Sequence, residues 1–166
     1  MPKKNDSVIE RTLVLIKPDG VQRAIAGELI SRFERAGFKI VGLKMRWIDP
    51  NFAQKHYAAH LKKAFYKGLE AMITEGPVIA MVLQGLHAVS TVRKMVGATE
   101  PKEALPGTIR GDYAIHSYQY ADEKGIAIKN LIHASGDAAD AEKEIALWFA
   151  LDELYEYSVV HEVHTL

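Results

Sequence analysis

The chain contains no cysteine, which excludes disulfides, thiol nucleophiles and zinc sites built on thiolates. It also lacks net charge. Lys plus Arg number 21 and Asp plus Glu number 21, so no global field draws the chain toward nucleic acid or an anionic membrane. No window approaches the roughly 18 apolar residues of a membrane span. The opening MPKKNDSVIE has two lysines without an apolar run behind them, so it does not read as a signal peptide. Neither the phosphate-loop pattern GxxxxGK followed by Ser or Thr nor the zinc pattern HExxH occurs, and both of those chemistries drop out. What is left is 166 residues, 48% hydrophobic and 25% charged, an ordinary globular composition. The expectation is one domain over residues 1–166, cytoplasmic, with residues 1–9 as a flexible lead-in.

Apolar periodicity gives a coarse element order. RTLVLI (11–16) reads as a buried strand stopped by the turn residues of KPDG (17–20). Leu29, Ile30 and Phe33 recur at helical spacing between Ala26 and Ala36, and Gly37 ends the run. FKIVGLKMRWID (38–49) suits a half-exposed strand. Two helices follow, from Pro50 to about Leu61 and from Ala64 to Glu75, then a strand VIAMVLQG (78–85) and a helix over 86–97. Residues 98–112 carry two prolines and two glycines without periodicity, and read as a long functional loop. YAIHSY (113–118) reads as a strand, and the clearest helix runs from Asp137 to Phe149 with Ala141, Ile145, Trp148 and Phe149 along one side. The tail from Leu151 reads as packing along the surface. Alternation alone fits a parallel α/β sheet. The same order also fits an antiparallel ferredoxin-like βαββαβ sheet.

The chemistry-bearing residues collect in 17–20, 93–112 and 130–137. Lys17, Arg93 and Arg110 are cations in or beside irregular segments, with Thr99 and Thr108 as hydroxyl donors. Arginine forks bind phosphate oxygens in pairs and lysine adds a point charge; the bland alternative is ordinary solvated cations. His161 and His164 are a weak metal pair in a tail, and His56 with His60 reads as a helix face from which one ring could reach a phosphate. His133 stands out within NLIHASGD (130–137). Asn130 precedes it, Ser135 follows it, and Glu144 lies eleven residues on, two turns into the next helix. A helix packed back beneath the strand would bring that carboxylate under the imidazole, fixing the tautomer and freeing the other nitrogen to attack. An ordinary imidazole, with a pKa near 6.5, is largely neutral at pH 7 and a competent nucleophile.

NLIHASGD with AEKE behind it, KPDGVQR near the start and GATEPKEALPGTIRGD between them resemble a nucleoside diphosphate kinase. The match runs from Glu10 to about Leu154, in order and mostly in the same spacing. The resemblance implies an α+β, ferredoxin-like βαββαβ core whose antiparallel sheet is covered by helices, in a homo-oligomer, hexamer or tetramer. It implies a ping-pong transfer of a γ-phosphoryl group from a nucleoside triphosphate to a nucleoside diphosphate. Residue by residue, His133 would be the nucleophile and Glu144 its orienting carboxylate, supported by Ser135. Lys17 would meet the ribose and the transferring group, Asn130 the ribose, and Tyr57 would support Lys17 and the histidine. Phe65 would stack the base, and Arg93, Thr99, Arg110 and His60 would approach phosphate. Mg2+ would travel with the nucleotide, held mainly by its phosphates rather than by a protein metal site. Stacking without base-edge readout implies broad base specificity. The implied partners are nucleotides such as ATP, GTP and GDP, with no membrane and no specific nucleic acid.

Two positions depart from the family pattern. Gly136 stands where an aspartate usually follows the serine, and Asp137 comes one residue later, taking up part of a capping or ion-pair role. The link from Tyr113 to Lys129 is longer than usual, so roughly 117–127 reads as an inserted loop beside His133. Two other readings compete: a nucleotide-binding scaffold without turnover, and a carrier phosphorylated on histidine by a protein partner. Turnover with several diphosphates would exclude both.

Overall fold

A computed structural model describes residues 8–166. Most of the expected lead-in lies outside the described residues, and Ile9 already belongs to the first strand. In chain order the elements are β1 (Ile9–Ile16), α1 (Pro18–Gln22), α2 (Ala26–Arg35), β2 (Lys39–Arg46), α3 (Pro50–His56), α4 (Tyr66–Thr74), β3 (Val78–Leu86), α5 (Ala88–Val96), α6 (Ile109–Tyr113), α7 (Tyr118–Lys124), β4 (Ile132–Ala134), α8 (Ala138–Trp148) and α9 (Glu162–Thr165). The sheet order is β2-β3-β1-β4, and every neighbouring pair is antiparallel. This is the ferredoxin-like arrangement in an α+β fold, and it removes the parallel alternative.

The apolar runs of the central strands have a direct cause. Side chains alternate between faces along a strand, and β1 and β3 are buried on both. Leu13 and Leu15 enter one core with Val78, Ala80 and Val82, and Val14 and Ile16 enter the other with Met81 and Leu83. The second core is closed by Leu29 and Phe33 of α2 and Val92 and Val96 of α5. The first is closed by Ala53 of α3, Ile73 of α4 and Trp148 of α8. Helices therefore cover both faces. The tail packs along the β2 side as expected: Tyr155 N–H donates to the Val41 carbonyl at 2.8 Å and the Tyr157 hydroxyl to that of Ile40 at 2.6 Å. Among the described residues no helix is long and apolar enough to cross a membrane.

Three local expectations change. KPDG opens the short helix α1, with Lys17 as its extended N-cap and Pro18 in its first turn, where a missing N–H costs nothing. Gly20 is required there, because a Cβ would lie 2.8 Å from Ile16 Cγ2 and 3.0 Å from the Leu131 carbonyl. YAIHSY is not a strand. Its first residue ends α6, its last begins α7, and helix caps set both: Thr108 Oγ accepts from Gly111 N–H at 3.1 Å and Ser117 Oγ from Tyr120 N–H at 3.2 Å. The 98–112 stretch is likewise partly helical, through a 3₁₀ turn over Pro101–Glu103 and the start of α6.

Candidate active site

β4 pairs His133 opposite Leu15 of β1, which fixes the backbone of the histidine in the sheet. α8 then folds back, and both Glu144 carboxylate oxygens lie 3.0 Å from His133 Nε2. Ser135, fully buried, donates its hydroxyl to Glu144 Oε2 at 2.7 Å, while Leu13 N–H donates to the same hydroxyl oxygen at 3.2 Å. A sheet amide, a serine and a carboxylate thus brace one ring nitrogen. With the Nε2 proton directed at the carboxylate, Nδ1 keeps its lone pair. Burial pushes the Glu144 carboxyl up, but the hydrogen bond and charge of His133, with Ser135 and His56, outweigh it and hold the group below its ordinary value.

A second histidine backs the first. The Trp148 indole, a donor only, points its N–H at His56 Nδ1 at 3.2 Å, which places the His56 proton on Nε2. The His56 ring stands edge-on to His133, centroids 4.9 Å apart and planes at 84°. Burial, reinforced by His133, pushes His56 down to about 3, so it stays neutral. Sequence periodicity places His56 on a helix face and gives no sign of its contact with the candidate nucleophile. Ligand atoms of His56, His133 and Glu144 lie within 4.8 Å of one another. Yet the Trp148 hydrogen bond leaves His56 Nε2 protonated, so that nitrogen, which has no hydrogen-bond partner among the described residues, offers a metal no lone pair. Tyr57 packs on His56 with centroids 4.5 Å apart. Burial, with the Glu144 charge, raises its phenol above the ordinary value, so it remains an O–H donor.

The cationic side is equally built. Lys17 is buried, and its ammonium donates to Asn130 Oδ1. Asn130 Nδ2 donates to the Thr99 carbonyl at 2.7 Å, tying β1, the 98–112 stretch and the approach to β4 together. Asp19 Oδ2 accepts from Leu131 N–H at 2.9 Å, and Lys17 N–H donates to the Leu131 carbonyl at 2.8 Å. That grip holds Leu131 at φ +71, a left-handed conformation unusual for a leucine. Arg110 donates to the carbonyls of Asn130, Gly97 and Ile132 at 3.2, 3.1 and 2.6 Å. Three of its five N–H groups are spent on the frame and two remain. Arg93 is exposed on α5, where its fork can turn to a ligand.

All these groups open on one cleft of about 910 Å³. Lys17, Tyr57, His60, Phe65, Arg93, Thr99, Arg110, Asn130, His133 and Glu144 all line it, with Ser135 directly behind. Phe65 is 57% exposed at its mouth, an open aromatic face, with the His60 ring 5.7 Å away. The chemistry is that of an anion cradle facing a braced imidazole.

The nucleoside diphosphate kinase family model matches residues 10–154. The chain belongs to that family. It is 54% identical to the nucleoside diphosphate kinase of Pyrococcus furiosus over 149 residues, 90% of this chain and 88% of that one. To a Thermus thermophilus nucleoside diphosphate kinase it is 53% identical over 146 residues, 88% and 99% of the two chains. Among solved structures, the Borrelia burgdorferi nucleoside-diphosphate kinase with bound vanadate and ADP superposes with a TM-score of 0.91 at 43% identity, covering 95% of this chain and 97% of the other. The Halobacterium salinarum enzyme in complex with CDP gives 0.83 at 44% identity, covering 93% and 96%. The chain is a nucleoside diphosphate kinase enzyme with nucleotides as substrates.

Within this kinase the Gly136 departure is compensated locally. Asp137 is the N-cap of α8, its Oδ1 accepting from Asp140 N–H at 2.8 Å. Gly136 lies against the Asp140 carboxylate, which a Cβ would approach to 2.8 Å. Asp137→Ala is expected to lower stability by about 1 kcal/mol, read as a lower denaturant midpoint, and Asp137→Asn to keep most of it.

Lys17 gives a pH expectation. Burial, opposed by Asp19 and helped by Arg110, lowers its ammonium to about 8. Above that pH the cleft loses a cation, so kcat/KM for nucleotide should fall on an alkaline limb near pH 8, since kcat/KM reports the free enzyme. The stability effect has the opposite sign. An unfolded lysine keeps its proton up to about 10.5, so between the two values the unfolded chain binds more protons and this group favours the fold as pH rises. Loss of activity through that window with an unchanged or higher melting temperature separates the two.

Proposed function

We propose that the enzyme works by ping-pong phosphoryl transfer through phosphohistidine at His133. Nδ1 attacks the γ-phosphorus of a nucleoside triphosphate, the Nδ1–P bond forms as the bond to the bridging oxygen breaks, and the nucleoside diphosphate leaves. A second diphosphate then attacks the phosphohistidine and carries the group away. The observation that carries this reading is the grip of Glu144 on Nε2, which directs the other ring nitrogen at a cleft lined with cations. In that reading Arg93, Arg110, Thr99 and His60 hold phosphates, Lys17 and Asn130 position the ribose and the transferring group, and Tyr57 keeps Lys17 and His133 packed. Such transfer needs mainly positioning and charge stabilisation, which this residue set supplies.

Phe65 stacks the base, and stacking accepts every base because every base has a π face. The ADP and CDP bound by the two relatives support one cleft for purine and pyrimidine. Mg2+ enters as the companion of the phosphates, whose charge it offsets. Among the described residues the metal-competent cluster is the nitrogen-rich trio around His133, which does not suit Mg2+ with its preference for oxygen ligands and retained waters, and this supports the phosphates as its main ligands. The exposed apolar side chains Leu105, Ile115 and Leu151 support self-association into a hexamer or tetramer. A single domain over the chain and a cytoplasmic setting complete the reading.

The test is turnover with four acceptors. ADP, GDP, CDP and UDP should give kcat/KM values within about tenfold of one another, with parallel double-reciprocal lines. Converging lines, or one accepted base, would contradict the proposal.

A further inference from the structure

The segment 117–127 is not a loop at the rim of the site but a third wall of it. Ser117 caps α7, and Gly125 closes it in the left-handed conformation at φ 63, with Ile126 N–H reaching back to the Ala121 carbonyl at 3.0 Å. Those two residues make an ordered helix out of what sequence length alone suggests is slack chain. Both ends of it are then fastened to segments that carry cleft-lining residues. At its start, Tyr118 N–H donates to Glu100 Oε1 at 2.9 Å, and Lys102 N–H donates to the His116 carbonyl at 3.2 Å. That ties α7 to the stretch carrying Thr99. At its end, Ala127 N lies 3.3 Å from where a Cβ on Gly68 would stand, so the returning chain rests on the α4 backbone just past Phe65. Ala121 is buried between, and Tyr118, Asp122 and Ile126 face the same cleft as Phe65 and Arg110.

Tyr118 is the tyrosine of this wall that lines the cleft shared with Lys17, Arg93 and Arg110. It is 46% exposed, and among the described residues nothing accepts from its hydroxyl. Arg110, whose fork still has two free N–H groups, lines the same cleft. A phosphate oxygen seated on Arg110 would thus have a hydroxyl on the same cleft, carried by a helix already held in place.

We propose that Tyr118 is an additional nucleotide-binding residue, its hydroxyl donating to a phosphate oxygen of the bound nucleotide beside Arg110. It rests on the reading of the cleft as the nucleotide site. The hydroxyl adds one charge-assisted hydrogen bond to ground state and transition state alike, so it acts on KM more than on kcat.

The test compares wild type, Tyr118→Phe and Tyr118→Leu, with ADP binding measured by calorimetry and turnover with ATP and GDP. Wild-type turnover, measured first, tests the underlying reading on its own. Given that, Tyr118→Phe should weaken ADP binding and raise KM by roughly threefold to tenfold, the effect of one hydrogen bond at a partly exposed site. Its kcat should stay within about twofold and its melting temperature should not move, because the ring and the Glu100 anchor are kept. Unchanged binding in Tyr118→Phe overturns the proposal. That holds whether Tyr118→Leu is also unchanged or is weakened, since the latter assigns the contact to the ring.

Discussion

His133→Ala should bring turnover to background and leave the fold in place. In the proposed mechanism the imidazole supplies the atom that bonds to phosphorus, so its removal closes the covalent route rather than raising one barrier. The loss should exceed the roughly 10²–10³ that deleting a single electrostatic donor costs. The fold should tolerate the change because the His133 side chain is 25% exposed and its place in the sheet is set by backbone pairing with β1. Glu144 is left hydrogen-bonded to Ser135 at 2.7 Å, so no buried carboxylate is stranded without a partner. ADP should still bind, since Arg93, Arg110, Lys17 and Asn130 are untouched. Retained binding with no turnover separates a missing nucleophile from a collapsed cleft. Activity within about tenfold of wild type would remove His133 from the mechanism.

Glu144→Gln should slow phosphoryl transfer by about 10²–10³ while keeping the shape of the site. The carboxylate does two things that an amide does not. Both of its oxygens are 3.0 Å from Nε2, so it accepts whichever way the ring settles, and in the proposed mechanism its charge would stabilise the cationic ring formed as Nδ1 bonds to phosphorus. An amide turned the wrong way presents N–H to the ring and favours the tautomer that blocks Nδ1. The pH consequence follows from the lowered Glu144 carboxyl. A carboxylate held below its unfolded value stabilises the fold above that value, and this contribution is lost as pH falls through the folded one. The variant should therefore be less stable than wild type near neutrality, with the gap narrowing in acid. A rate within about threefold of wild type would mean that Glu144 serves packing alone.

The two central strands and α8 are legible in the sequence because burial writes itself into local pattern: two-faced strands are apolar throughout, and α8 carries one apolar stripe. Sheet direction is not, since alternation of strands and helices is the same for parallel and antiparallel order. It becomes visible only through pairing such as Leu15 opposite His133. The short helices α6 and α7 escape a reading by periodicity although their signals are in the sequence. Thr108 three residues before Gly111, and Ser117 with Gly125 eight later, are a cap and a cap-to-stop pair. Five to seven residues are too few for periodicity to show, so capping carries all the information there. At the site, motif resemblance points to His133, Glu144, Lys17, Arg93 and Asn130 as one cleft, and they line it. His56 is missed as a neighbour of His133 because its setting depends on Trp148, 92 positions away in sequence, which no local pattern encodes. Asp19 reads only as a turn residue, yet its carboxylate holds the Leu131 amide beside the site.

The measurement that bears most directly on the mechanism is intact-mass analysis of the purified enzyme after brief exposure to Mg-ATP, repeated after GDP is added. The expected result is one acid-labile phosphate on wild type that disappears as GTP is formed, and none on His133→Ala. A folded, nucleotide-binding wild-type enzyme that turns over without ever carrying phosphate would contradict transfer through His133.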